Sequence, residues 1–180
     1  MKLNGEGVLE GAIQVASANF DERPDGETVT LVVIHAISLP PGEFGGDAIE
    51  RLFTNTLDCA GHPYFEALRG LRLSVHFLIR RGGEIVQFVP CRKRAWHAGT
   101  SCYAGRERCN DFSVGIELEG TGDIAYTDPQ YEALAALVRE LYACYPIADV
   151  VAHSGIAPGR KTDPGPSFDW KRLHAALPRG

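Results

Sequence analysis

Seven residues from Thr28 to Ile34, Thr-Val-Thr-Leu-Val-Val-Ile, constrain this chain more than any other stretch. β-Branched side chains are stiff at χ1 and favour a pleated strand over a helix. A run this uniformly apolar reads as an interior strand, and it delivers His35 at its C-terminal end. Such a strand needs paired neighbours and covered faces, so a sheet must be assembled from the rest of the chain.

The other elements can be read in order. Leu39-Pro40-Pro41-Gly42 forces an extended turn, because proline restricts its own φ and the residue before it. Asp47 to Phe53 carries a short helical stripe, a loop with His62-Pro63 follows, and Tyr64 to Leu68 reads as another short helix. Ser74–Arg80 and Glu84–Val89 are strands separated by the tight-turn sequence Arg81-Gly82-Gly83. A loop runs from Trp96 to about Asp111. In the strand Phe112–Leu118, Val114, Ile116 and Leu118 share one face, while Gly115, Glu117 and Glu119 lie on the other. Thr127-Asp128-Pro129 starts a helix with a capping residue just before proline. Apolar positions 131, 134, 135, 138, 141 and 142 continue it to Pro146. Val150-Val151 ends a short strand leading into His153, and Asp169–Leu177 is the closing helix.

No repeat or linker interrupts this order. With 180 residues, a chain buries roughly 70% of its extended surface as one domain. The expectation is one α/β domain over residues 1–180, a single mixed central β-sheet flanked by helices. The 20 glycines and 11 prolines point to long ordered loops between modest elements.

Charge and composition exclude several partners. The formal net charge is -5, and the densest basic stretch, Arg92-Lys93-Arg94, is too short for a duplex-binding stripe, so no nucleic acid is expected. No apolar run is long enough to span a membrane, and Met1–Gly7 lacks the apolar segment of a secretory signal. The five cysteines are scattered without a paired spacing and read as reduced thiols. A cytoplasmic location is therefore expected, with no protein partner indicated.

His35, His153 and Asp163 offer two imidazoles and a carboxylate, a suitable zinc set with a fourth position left open. Their spacing forms no local motif, and structural or exposed histidines are the commoner case. Glu117 either faces solvent or projects into a cleft as an acid–base group, and Glu119 competes for the same role. Arg160 and Lys161, just before Asp163, are either solvated loop charges or cations for a developing oxyanion.

Five stretches together carry a specific resemblance. They are His35–Gly46, Lys93–Gly99 with Trp96-His97-Ala98-Gly99, Gly105–Ser113, Gly115–Gly120, and Arg160–Pro166. The chain resembles the N-acetylmuramoyl-L-alanine amidase type 2 family, especially its cytosolic members that act on anhydro-muropeptides. That family is related in fold to peptidoglycan recognition proteins and T7 lysozyme-like amidases.

The resemblance implies one zinc ion per chain, held by His35, His153 and Asp163, with Glu117 as catalytic carboxylate and Lys161 as cationic stabiliser. It places Arg72, Arg108 and Arg160 among the substrate contacts. It keeps His76 and His97 within the pattern but outside the ligand set. The implied reaction is hydrolysis of the bond between 1,6-anhydro-N-acetylmuramic acid and L-alanine in soluble fragments during cell-wall recycling. Two departures stand out: Ala36 replaces a typical asparagine, removing a donor beside the first ligand, and Ser154-Gly155-Ile156 follows the second ligand in place of Cys-Asp-Ile. A metal-free muropeptide-binding module and an exported wall amidase are the alternative readings.

Overall fold

The computed structural model describes residues 1–178. Its strands are β1 (Ile13–Gln14), β2 (Phe20–Glu22), β3 (Leu31–Ile37), β4 (Phe77–Ile79), β5 (Ile85–Gln87), β6 (Lys93–Ala95), β7 (Cys102–Tyr103), β8 (Arg106–Glu107), β9 (Ser113–Glu119) and β10 (Asp149–Ala152). The helices are α1 (Ala48–Phe53), α2 (Asp128–Cys144), α3 (His153–Ile156) and α4 (Trp170–Ala176), with 3-10 turns at Pro63–Leu68 and Cys109–Asp111.

The apolar run becomes β3, buried from Leu31 to His35. It lies within a six-stranded sheet of order β1-β5-β4-β9-β3-β10. Only the β4–β5 pair is antiparallel; the other neighbours run parallel, so the sheet is mixed as expected. The hairpin closes around Arg81-Gly82-Gly83, with Gly83 N–H donating to the Arg80 carbonyl at 2.9 Å. Gly83 has φ +88°, and a Cβ there would meet the Pro129 carbonyl at 2.9 Å, so glycine serves both turn and packing.

Period-2 alternation divides the core. Val32, Ile34, Val114, Ile116 and Leu118 pack on α2 and α4 through Leu134, Val138, Leu141 and Leu173. Leu31 and Val33 face the other way, against Ala98, Cys109, Phe112 and Ile156. Leu78 and Val86 meet α1 through Ile49, Leu52 and Phe53. The stripe on α2 therefore seats a helix whose truncation, for example Leu134→Ala, costs roughly 2–5 kcal/mol.

The start of α2 is fixed twice. Thr127 and Gln130 form a reciprocal capping box. Gln130 is also fully buried and donates Nε2–H to the carbonyls of Ile79 and Glu119, at 3.3 and 2.9 Å, joining the helix start to the ends of β4 and β9.

Two small antiparallel pairs fall in segments that read as loops. In β2–β6, Asp21 opposes Arg94 and Glu22 opposes Lys93, so opposite charges set the pairing rather than apolar alternation. The β7–β8 hairpin subdivides the Trp96–Asp111 loop. The basic triplet is spent on Glu6, Glu22, Asp21 and Asp111. Among the described residues, no helix is long and apolar enough to cross a membrane.

Candidate active site

Parallel pairing gathers the chemistry at the carboxyl ends of the central strands, where open α/β sheets bind ligands. In the β3–β9 ladder His35 is the register partner of Glu117. In β10, Ala152 pairs with Ile34, so His153, the next residue, arrives beside His35. Asp163 returns after α3, and its carbonyl accepts the Ser154 N–H at 3.0 Å.

The three expected ligands converge. His35 Nδ1 lies 2.9 Å from His153 Nδ1. Asp163 Oδ2 lies 3.0 Å from His153 Nδ1 and 3.4 Å from His35 Nδ1. The histidine side chains are 2% and 4% exposed, and Asp163 is 21% exposed, so the cluster opens on the carboxylate side.

The outer hydrogen bonds decide which nitrogens carry protons. His153 Nε2 sits 3.2 Å from the Ala98 carbonyl, which can only accept. Ser113 Oγ donates to the Cys109 carbonyl at 2.6 Å, so its oxygen receives His97 Nε2–H at 3.2 Å. His97 Nδ1 is then an acceptor, and it takes the Nε2–H of His35 at 2.9 Å. In neutral rings both inner Nδ1 atoms carry lone pairs, facing each other and a carboxylate.

Such a cluster requires protons or a cation between its members. Burial disfavours the extra proton, holding the His35 imidazole down to about 4 despite the hydrogen bond to Asp163. His97 is likewise held well below the ordinary histidine value, chiefly by burial. All three donor atoms lie within 4.8 Å of one another. Two imidazole nitrogens and one carboxylate oxygen suit a zinc-type ion, whose tetrahedral ligands stand roughly 3.3 Å apart for bonds of ~2.0 Å.

A cavity of about 630 Å³ opens above the cluster. Leu39, Leu52, Tyr64, Leu68 and Leu73 supply an apolar wall; His35, His153, Asp163, Glu117 and Lys161 make the charged end. Glu117 is partly buried on the cavity floor, and its Oε2 has no hydrogen-bond partner. Burial raises its pKa well above the usual carboxylate range, Asp163 adds to the rise, and Lys161 opposes it.

Glu119 has a different environment. It is 2% exposed and accepts from Gly45 N–H at 2.6 Å, Arg80 Nη1–H at 3.0 Å and Arg81 N–H at 3.1 Å. Of the expected substrate arginines, Arg160 and Arg108 share a hollow beside the main cavity and Arg72 borders another. Arg160 borders the cavity, but its Nη2 donates to the carbonyls of Ala98 and Thr100 at 2.6 and 2.7 Å. Arg108 lines a neighbouring hollow and pairs with Asp111 at 3.2 Å. Arg72 is exposed beside a separate, smaller hollow. Ala36 lies on the cavity wall next to His35.

Several supports were not legible in advance. Asn110 Oδ1 accepts from the backbone N–H groups of both His97 and Ala98, at 3.2 and 2.8 Å. Arg23 directs its guanidinium to the carbonyls of Cys91, Asn110, Asp111 and Ser113; burial lowers its pKa to about 10. Neither role has a sequence signature, because the acceptors are main-chain atoms.

A mixed sheet carries a buried two-histidine, one-aspartate cluster able to hold a metal ion beside a free glutamate, and residues 25–166 match the family described as N-acetylmuramoyl-L-alanine amidase. The chain belongs to that family. It is 60% identical over 174 residues to the 1,6-anhydro-N-acetylmuramyl-L-alanine amidase AmpD of Escherichia coli (strain K12), covering 96% of this chain and 95% of that one. A crystal structure of a selenomethionine AmpD derivative superposes with a TM-score of 0.96 at 59% identity, covering 99% of this chain and all of that one. The amidase AmiD from E. coli, in complex with the substrate anhydro-N-acetylmuramic acid-L-Ala-D-γ-Glu-L-Lys, aligns at TM-score 0.62 and 29% identity over 86% of this chain and 60% of its own.

Proposed function

We propose that this chain hydrolyses the amide between 1,6-anhydro-N-acetylmuramic acid and L-alanine in soluble muropeptides recycled from the cell wall, using one zinc ion held by His35, His153 and Asp163. The observation that carries this reading is the convergence of those three donor atoms beside the unpartnered carboxylate of Glu117. The near-full-length likeness to AmpD supports the choice of substrate. The catalytic unit is the α/β domain of residues 1–180. A cytoplasmic setting fits its five free cysteines.

A zinc ion bound there supplies Lewis acidity toward the scissile carbonyl and its attacking water. Glu117 takes the proton of the water and delivers it to the departing alanine nitrogen. Its raised pKa suits both halves of that task, since a carboxylate that ionises too easily is a poor acid. Lys161, at the charged end of the cavity, faces the region where the carbonyl oxygen becomes negative.

The guanidinium forks of Arg72, Arg108 and Arg160 are assigned to peptide carboxylates and sugar oxygens. Arg160, on the border of the cavity, is assigned to the first residues of the stem. Arg72 and Arg108, on neighbouring hollows, serve its outer part. A metal-free binding module has no use for this donor set together with Glu117 and Lys161.

The test pairs metal analysis with substrate choice. Purified protein should contain about one zinc per chain and cleave soluble anhydro-muramyl peptides much faster than intact sacculus. Comparable rates per susceptible bond on sacculus would count against the substrate, and full activity without metal would remove the mechanism.

A further inference from the structure

We infer that the dipeptide His97-Ala98 orients both histidines of the donor set, which makes His97 a positioning residue for metal capture. The inference rests on the metal site proposed above and adds a role to residues outside it.

The two residues act through different groups on adjacent positions. The His97 ring accepts the outer N–H of His35 at 2.9 Å. The Ala98 carbonyl accepts the outer N–H of His153 at 3.2 Å and is held in place by Arg160 Nη2–H at 2.6 Å. The dipeptide is fixed in turn, since Asn110 Oδ1 takes both of its backbone N–H groups. The far side of the His97 ring is closed by Ser113, whose own proton is committed to the Cys109 carbonyl. Every hydrogen bond in this chain therefore points one way, and its end result is an inner lone pair on each ligand histidine.

A second observation is steric. A Cβ on Gly115 would lie 2.6 Å from Cγ and Nδ1 of His97. Glycine at this position in β9 gives the ring room to lie against the strand, with Nδ1 aimed at His35. Gly115 needs no unusual backbone conformation for this. Its value lies in the missing methyl group.

Without an acceptor on His97, nothing selects the His35 tautomer that leaves Nδ1 bare. A ring protonated on Nδ1 must lose or move that proton before a cation can bind, so affinity falls while the chain stays folded. Partners that fix ligand histidines are typically worth about 10–100-fold in metal affinity.

The experiment measures zinc affinity by chelator competition on the full chain, with circular dichroism to verify folding. His97→Leu should bind zinc about 10–100-fold more weakly. His97→Asn, whose Oδ1 can occupy the acceptor position, should stay near the parent. Gly115→Ala, which retains every polar group and displaces the ring, should match His97→Leu. In the metal-free protein, nitrogen-15 imidazole spectra should show His35 protonated on Nε2 in the parent and not in His97→Leu. Parental affinity in folded His97→Leu or in Gly115→Ala overturns the inference, as does His97→Asn binding as weakly as His97→Leu. If His97→Leu fails to fold, the contrast between His97→Asn and Gly115→Ala decides the question. A parent that binds no zinc, with Asp163→Ala unchanged from it, overturns the metal site itself. A parent that binds zinc through Asp163 but is indifferent to position 97 overturns only the orienting role.

Discussion

His35 and Glu117 are register partners in the parallel ladder between β3 and β9. Partners in adjacent strands stand about 4.8 Å apart and project to the same face. Backbone pairing, rather than a loop, thus sets the proposed ligand beside the proposed proton carrier. Glu117→Gln keeps the size of the side chain and removes the carboxylate. It should lower kcat by roughly 10²–10⁴ with zinc content and folding retained. Parental kcat in this variant would end the assignment, and loss of zinc would show that Glu117 serves the metal instead.

Glu119→Gln should behave otherwise. Glu119 takes the N–H of Gly45 while Arg80 donates to the Gly46 carbonyl at 2.7 Å, so the two side chains grip the ends of one dipeptide. That dipeptide closes the segment whose Ser38–Gly42 part lines the cavity. Removing the charge weakens three hydrogen bonds, but Arg80 keeps its ion pair with Glu50, so the cost should be about 1–3 kcal/mol of stability. KM should rise more than kcat falls. Thermal melts and a full rate curve check both statements, and a kcat loss as large as that of Glu117→Gln would contradict them.

Asp163→Ala removes the one anionic member of the cluster. The variant should lose zinc and activity together, and added zinc should not restore turnover at concentrations that fully reactivate chelator-treated parent. Metal analysis after gel filtration provides the measurement. Full occupancy with normal turnover would take Asp163 out of the donor set.

Asn110 offers a quieter test. Its Oδ1 takes two backbone N–H groups, and Asn110→Asp keeps that acceptor, so it should retain activity and melting temperature. Asn110→Ala orphans two donors and should destabilise the protein by about 1–3 kcal/mol. Equal melting temperatures for the two variants would show that solvent replaces the side chain.

His76 predicts an acid limit. Burial, reinforced by the charge on Arg23, lowers its pKa to about 3. Its Nδ1 accepts the Gly115 N–H at 3.0 Å and its Nε2 faces the Lys93 carbonyl at 3.1 Å, so the folded state needs the neutral ring. The unfolded chain takes up the proton first. Stability owed to neutral His76 is complete above the unfolded value near 6.5 and is lost as pH falls from there toward about 3. Over that window His76→Gln should show a shallower decline in unfolding free energy, by up to about 1.4 kcal/mol per pH unit, as read from denaturant titrations at each pH. Parallel curves for parent and variant would refute the assignment.

The sequence made the long elements readable because each carried its own period. β3 came from an unbroken apolar run, β9 from alternation, and α2 from a helical stripe with Thr127 and Pro129 at its start. The short pairs were not readable. Asp21 and Glu22 are opposed by Arg94 and Lys93 far along the chain, and no local pattern announces such a partner. The grouping of His35, His153 and Asp163 was expected through resemblance, whereas the hydrogen bonds of Ala98, Ser113 and Asn110 depend on carbonyls and N–H groups that every residue possesses. The arginines show the opposite limit, since residue type alone cannot tell that Arg108 and Arg160 border one hollow while Arg72 borders another.

The two histidines of the cluster enter the fold from opposite ends of the chain, 118 residues apart. They are neighbours only because β10, an edge strand of four residues, docks on β3. A growing polypeptide therefore carries half a cluster through most of its synthesis. Any chain that stops before residue 163 presents His35 and Glu117 without the groups that complete them. The cluster is thereby assembled only once the residues up to 163 have been made, and the β3–β10 pairing is what joins its two parts.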